Sequence, residues 1–274
     1  MLQYLEYPFF VNALAGVALI SVCAAIIGTY IITRRLVAIC GGITHACFGG
    51  LGLGYFLGVS PIFMAGVFAV GSSLGVELMS HRLRLREDSA IAVIWALGMA
   101  LGVLFVFLTP GYVPELNAFL FGNILTTSTT DLEVFAIYTT ILSLFTGLLY
   151  KKIIAVAFDP DFAKVSGLPV KFISCSMTVL TAICIVLTIR LAGIMLLMSL
   201  LSLPILTAEI FCHRYMQILW SALAICLATS VGGLFVSTVV NVPCSALIVL
   251  IMTAVFLLAK LANTVRSLVK NACR

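Results

Sequence analysis

Hydrophobic residues fill most of the chain in runs of about 20, without the alternation of apolar and polar positions that marks β-strands. In lipid, only helices and closed barrels satisfy their own backbone groups. The pattern predicts an all-α polytopic membrane protein with eight or nine transmembrane helices. A count of eight spans remains an alternative, because an apolar run of this length can also break into two half-helices. The predicted spans cover residues 9–33, 36–58, 61–79, 90–109, 132–150, 172–189, 191–211, 217–239 and 243–262.

Composition supports a membrane protein. The 274 residues are 63% hydrophobic and only 9% charged, too few charges to cover the surface of a soluble domain. The first run is longer than a signal-peptide core and lacks a basic lead-in, so we expect it to remain as a span. Residues 1–274 are therefore predicted to form a single transmembrane domain, with no role in nucleic-acid binding.

The basic residues predict the orientation, because cytoplasmic loops collect Lys and Arg. With the N-terminus outside and nine spans, the outer side keeps only Arg190 of the 15 basic residues. The inner side receives Arg34, Arg35, Arg82, Arg84, Arg86, Lys151, Lys152, Lys164, Lys171, Arg214, Lys260, Arg266, Lys270 and Arg274.

Two loops are distinctive. The outer loop at about 110–131 is amphiphilic and predicts a short surface helix. Its acids, with their neighbour Glu133, either attract a cation or form a solvated rim. The acids in question are Glu115, Asp131 and Glu133.

The inner loop contains AFDPDFAKVSGLPV, which predicts one short capped helix at about 159–167. Asp159 suits the N-cap, Pro160 the first helical position and Asp161 the positive end of the helix dipole. Gly167 suits a left-handed cap, and Pro169 stops the helix.

A helix this short is marginal in water, so it should be docked on something. It either packs against helices of its own chain or presents Phe162, Ala163 and Val165 to a cytosolic partner.

His45 lies near the middle of the second span, within CGGITHACFGGLGLG. His81 and His213 sit beside arginines, and Glu77 and Glu209 fall near inner helix ends. An ionisable residue at membrane depth indicates function, because an unsatisfied polar group is costly in hydrocarbon. The alternative is a structural histidine bonded to a carbonyl or a serine.

Small residues four apart accompany His45 along the same helix. They allow close packing of another helix, and they also suit a pathway that opens and closes. One stripe holds Gly42, Ala46, Gly50, Gly54 and Gly58, and the next holds Gly41, His45 and Gly49.

A third stripe of the same helix, Cys40, Thr44 and Cys47, offers soft or oxygen ligands. Buried packing is the more economical role for the cysteines, which form no CxxC pair. The nine cysteines are at 23, 40, 47, 175, 184, 212, 226, 244 and 273.

Sequence motifs for catalysis are missing. The chain has no HExxH, no GxSxG and no Walker lysine loop, and no cluster of polar residues typical of a lipid-modifying enzyme. Passage of a substrate is therefore the expected role.

With these motifs, the chain resembles the permease subunits of bacterial ABC importers for zinc, manganese or iron, the metal-type or ABC-3 family. GGITHACFGGLGLGYFLG resembles its second-helix signature, with Thr44, His45 and Ala46 at matching places. FDPDFAKVSGLPV resembles its cytosolic coupling segment, matched by Asp159, Pro160, Ala163 and Gly167. Residues 118–125, 192–208 and 233–251 are similar to three further family blocks in the same order.

The resemblance implies a type II-like importer architecture in the bacterial cytoplasmic membrane. Two copies of the permease would join two cytosolic ATPase subunits and an extracytoplasmic metal-binding protein. ATP would be used by the partner, no cofactor would be stably bound, and the transported divalent ion would pass His45.

One departure concerns the metal. Many family members carry an aspartate four residues before the histidine, where this chain has Gly41. The lost carboxylate removes a hard oxygen ligand, which makes manganese less favoured than zinc or iron. Backbone carbonyls, Thr44 or another helix would have to supply the missing donor.

Two other transporters remain as alternatives. A permease for iron-siderophore or cobalamin shares the general plan but usually has about ten spans and no need for a midplane histidine. A proton-driven secondary metal carrier would use His45 as a relay.

Overall fold

The computed structural model describes residues 7–83, 85–110, 122 and 124–272. This part of the chain contains eleven helices, a 3-10 turn at Ile124–Thr126 and no strand, which confirms the all-α prediction. The helices are α1 (Pro8–Thr33), α2 (Val37–Leu57), α3 (Pro61–Leu83), α4 (Glu87–Leu108), α5 (Thr129–Leu148), α6 (Tyr150–Phe158), α7 (Pro160–Val165), α8 (Val170–Ala192), α9 (Ile194–Glu209), α10 (Tyr215–Val240) and α11 (Cys244–Ala272).

Eight of the described helices are long and apolar enough to span a membrane, which agrees with the predicted eight or nine. They are α1, α2, α3, α4, α5, α8, α10 and α11. The largest boundary difference is in α11, which runs to Ala272 rather than residue 262. The helix continues past the predicted end through a stretch that includes Arg266.

The remaining predicted span, residues 191–211, corresponds to the shorter helix α9. Gly193, with φ of 80°, separates it from α8. Its 16 residues rise about 24 Å, less than the roughly 30 Å of a hydrocarbon core. At its start, Ile194 shares a pocket with Ile62 near the outer end of α3. Near its end, Ala208 shares a core cluster with Ile32, close to the end of α1.

The chain divides into two compact units. The first comprises Met1–Ile32, Asn123–Thr140 and Met195–Arg274, and the second comprises Thr33–Gly122 and Ile141–Ile194, each in so far as its residues are described. Neither unit is continuous in sequence, so no single cut would separate them.

Helix α2 is the most buried of the spanning helices and packs between α3 and α4 in the second unit. Its contact with α4 is close because glycines of α4 face its backbone. A Cβ atom at Gly102 would lie 2.6 Å from Phe48 O, and one at Gly98 would overlap Ala46. Gly98 and Gly102 form a G-x-x-x-G pair, a packing motif of membrane helices.

The outer loop is only partly described. Glu115 and the expected surface helix lie outside the described residues. Asp131 is described, and it belongs to a capping arrangement at the start of α5: its Oδ2 accepts from Ser128 Oγ at 2.8 Å, and its N–H donates to Ser128 Oγ at 3.2 Å. Arg84, Cys273, Arg274 and the side chains of His81 and Lys270 also lie outside the described part.

Candidate metal pathway and coupling segment

His45 lies in the middle of α2 and is half-buried. Its imidazole stacks on the indole of Trp95 in α4, with ring centroids 4.4 Å apart and planes 12° apart. The ring of Phe48 lies near-parallel to it at 6.0 Å. Trp95 is itself 39% exposed. Aromatic stacking on a partly open face therefore positions the imidazole.

Two polar atoms beside this stack have no hydrogen-bond partner among the described residues: His45 Nδ1 and Thr44 Oγ1, both buried. Polar atoms buried without a partner are uncommon because their desolvation is not compensated. The structure thus does not show the carbonyl or serine partner that a purely structural histidine would require at this nitrogen. The burial of both atoms is therefore not compensated by a hydrogen bond within the described structure.

The described residues contain no group of three or more His, Cys, Asp or Glu side chains that could hold a metal ion. Cys40 and Cys47 are almost fully buried in the helix packing, and Gly41 supplies no side-chain donor. Among the described pathway candidates, the imidazole of His45 is therefore not joined by two further side chains of these types.

The glycines predicted as pathway or packing residues lie against neighbouring helices. A Cβ atom at Gly42 would approach Ile91 of α4, and one at Gly49 would approach both Phe68 and Gly98. Cβ atoms at Gly50 and Gly54 would meet the α3 backbone. These four positions serve close packing in the second unit, as small residues do between membrane helices.

A Gly50→Leu variant is expected to fold in lower yield and to melt at a lower temperature. A Cβ atom there would lie 2.7 Å from Ala65 Cα, and backbone cannot move aside as a side chain can. Overpacking of this kind costs about 1–3 kcal/mol or more. Monodisperse yield and the thermal midpoint in detergent measure the effect.

Gly232→Leu is the matched control, because no atom lies within 4 Å of a Cβ at this position in α10. Equal yield and midpoint for the two variants would contradict close packing at Gly50.

A polar cluster lies at the inner ends of several helices of the second unit. Arg34, only 13% exposed in its side chain, donates to Ser174 Oγ of α8 at 2.8 Å and lies 3.5 Å from Glu87 Oε1 of α4. Glu77 of α3 and Ser73 line the same small cavity of about 20 Å³, enough for one water molecule. Arg34 thereby ties the α1–α2 turn to the first turns of α4 and α8.

The inner-loop helix forms as predicted over Pro160–Val165. Asp159 is the N-cap, and its Oδ1 accepts from the Phe162 N–H at 2.9 Å. Gly167 adopts φ of 77°, a left-handed conformation that suits glycine. The Leu168 N–H donates to Ala163 O at 3.0 Å and the Gly167 N–H to Lys164 O at 3.1 Å, which is a Schellman cap.

The structure shows how this helix packs on its own chain, whereas its contact with a cytosolic partner stays a prediction. Ala163 is fully buried, so its prediction as part of a presented face is wrong; its side chain is small and lies where α7 packs on α6 and α8. Phe162 is 66% exposed and Val165 89% exposed. The helix is docked on its own chain and also presents two apolar side chains.

Sequence reasoning missed three features. The G-x-x-x-G pair of α4 can be seen in the sequence, but the sequence does not show that it packs against α2. The role of Trp95 could not be predicted, because one tryptophan in an apolar helix does not indicate that it stacks on a histidine 50 residues earlier. The sequence identifies Arg34 only as an orientation marker, whereas its side chain is mostly buried and hydrogen-bonded.

Comparison with known proteins gives consistent matches. The model of the ABC 3 transport family matches residues 6–263. The manganese transport system membrane protein MntC of Halalkalibacterium halodurans is 30% identical over 257 residues, covering 94% of this chain and 88% of the relative. The protein of the same name from Listeria monocytogenes is 26% identical over 255 residues, covering 93% and 91%. The solved structure of PsaBC from Streptococcus pneumoniae in complex with Fab matches with a TM-score of 0.81 and 25% identity, covering 94% of this chain and 95% of that chain.

Proposed function

Because the chain belongs to the ABC 3 transport family, we propose that it is the permease subunit of an ATP-driven importer of divalent transition-metal ions, with zinc, manganese and iron as candidates. The chain is a multi-span membrane protein and belongs with the permeases of metal ABC transporters. It is a transport subunit rather than an enzyme. The bacterial cytoplasmic membrane is the location consistent with its relatives.

The observation that carries the proposal is His45 at mid-depth in α2, stacked on Trp95, with Nδ1 buried and without a partner among the described residues. A neutral imidazole binds zinc and iron well and manganese less tightly. An ion would exchange part of its hydration for this nitrogen while passing. It could then leave, since the described residues provide no group of three or more such ligands to retain it.

The choice of metal rests on two opposing observations. The relatives named above are manganese transport proteins, which favours manganese. Gly41 lacks the carboxylate expected four residues before His45, which favours the softer ions, since manganese prefers oxygen ligands. Thr44 Oγ1, buried and without a hydrogen-bond partner in the described structure, is a candidate oxygen donor.

The proposed assembly contains two copies of this chain, two cytosolic ATPase subunits and an extracytoplasmic metal-binding protein. In support, α7 presents exposed Phe162 and Val165 on a helix that is firmly capped and docked. Movement of α7 would reach α8, and the Arg34–Ser174 hydrogen bond would carry it to the turn before α2.

Proteoliposomes containing the purified complex would test this function. We expect uptake of radioactive zinc, manganese or iron that requires ATP on the cytosolic side and the binding protein on the other. Uptake of a ferric siderophore or cobalamin without free-ion uptake would replace the proposal with a chelate permease. Uptake driven by a proton gradient without ATP would replace it with a secondary carrier.

A further inference from the structure

A groove on the surface of the second unit runs between α3 and α8. Its inner part has a volume of about 620 Å³ and is lined by apolar Leu74 and Leu78 and by two glycines, Gly71 and Gly75. No atom lies within 4 Å of a Cβ at Gly71, so the groove is open at that point.

Two cations stand at the inner end of this groove, Arg82 of α3 and Lys171 of α8. Both are exposed, and neither forms an ion pair within the described residues. Arg82 follows the candidate span Pro61–Ser80 by two residues, and Lys171 is the second residue of the span Val170–Ala192. Both charges therefore lie at the inner membrane boundary, where lipid headgroups are found.

The depth of the groove fits one leaflet. From Arg82 to Gly71 is eleven residues of helix, or about 16 Å, which is close to half of a hydrocarbon core of roughly 30 Å. The same two helices form a second apolar groove of about 470 Å³ toward the outer side, lined by Gly66, Val70 and Val186 among others.

We propose that this inner groove binds one anionic phospholipid of the inner leaflet, with the phosphate between Arg82 and Lys171 and an acyl chain along Leu74, Leu78 and Gly71. The two positive side chains favour a negatively charged headgroup, because basic pockets between membrane helices on the cytoplasmic side bind anionic lipid. Glu77 also lines the groove, but its Oε2 atom is buried and the residue also lines the cavity that holds Arg34. The two exposed cations thus dominate the inner end.

Native mass spectrometry of the full-length chain, released from nanodiscs of equal parts phosphatidylglycerol and phosphatidylcholine, tests the headgroup. We expect preferential retention of phosphatidylglycerol. In R82Q/K171Q, retention should fall roughly fivefold for each cation removed. The matched control is K151Q/K152Q, which removes two exposed inner-side cations of α6 outside the groove. Equal losses in both variants would mean general attraction to a basic surface and would overturn the proposal.

A second pair of variants tests the acyl-chain part. Gly71→Leu adds a side chain where a Cβ atom meets no atom within 4 Å, and it should displace the lipid while the fold stays intact. Gly232→Leu, also in open space, should leave lipid retention unchanged. Unchanged retention in Gly71→Leu would contradict lipid in this groove.

A photo-crosslinking residue at Leu78, which is 54% exposed, identifies the occupant directly. The proposal expects crosslinked phospholipid. Capture of a second copy of the chain in its place would show that the groove is a protein interface and would overturn the proposal.

Discussion

Uptake by the His45→Ala variant is expected to fall at least tenfold for the transported metal, while the complex still assembles and hydrolyses ATP. The imidazole is the ionisable group at mid-depth in the most buried spanning helix, and its Nδ1 atom has no hydrogen-bond partner among the described residues. Loss even of groups that only orient metal ligands costs about 10–100-fold in affinity or activity. Metal uptake by proteoliposomes, measured beside ATP hydrolysis, checks the prediction.

His213→Ala is the matched control, because His213 is exposed on the inner loop before α10. It should transport normally. Unchanged uptake in His45→Ala would remove the pathway role from His45, and an equal loss in both variants would point to a general defect of assembly.

The spans could be predicted closely because length and apolar composition suffice to identify them. The short helix α7 could be predicted to the residue, because capping is local: Asp159, Pro160 and Gly167 act within a few positions of one another.

Packing faces could not be predicted. The spanning helices are apolar all round, so no polar stripe distinguishes a lipid-facing side from a buried side. That is why the sequence does not link Trp95 or the α4 glycines to the helix that carries His45.

Distance in sequence also limits what can be predicted about the inner cluster. Arg34 and Ser174 are 140 residues apart, and nothing local distinguishes Arg34 from Arg35, the next residue. In the structure the two differ sharply: Arg34 is hydrogen-bonded and mostly buried, whereas Arg35 is exposed and takes a left-handed backbone conformation with φ of 60°. The positive-inside pattern is therefore built from residues with different structural roles.

Gly167→Val is expected to uncouple ATP hydrolysis from transport while leaving membrane insertion intact. The left-handed conformation at this residue costs an L-amino acid about 1–2 kcal/mol, and more when the side chain is β-branched. That is a factor of about 5–30 in the population of the capped helix, large for a helix of six residues that relies on its caps. Uptake per ATP hydrolysed, measured in proteoliposomes, should fall by a comparable factor.

Gly167→Asn separates backbone strain from side-chain bulk, because asparagine tolerates the left-handed region and serves as a cap. No atom lies within 4 Å of a Cβ at this position, so the Cβ atom of either residue meets no obstacle. Asparagine should therefore keep most of the coupling that valine loses. If valine couples as well as glycine, the capped helix does not transmit the ATPase signal. If both variants fail equally, a side chain at this surface blocks the partner and the cap geometry is not the cause.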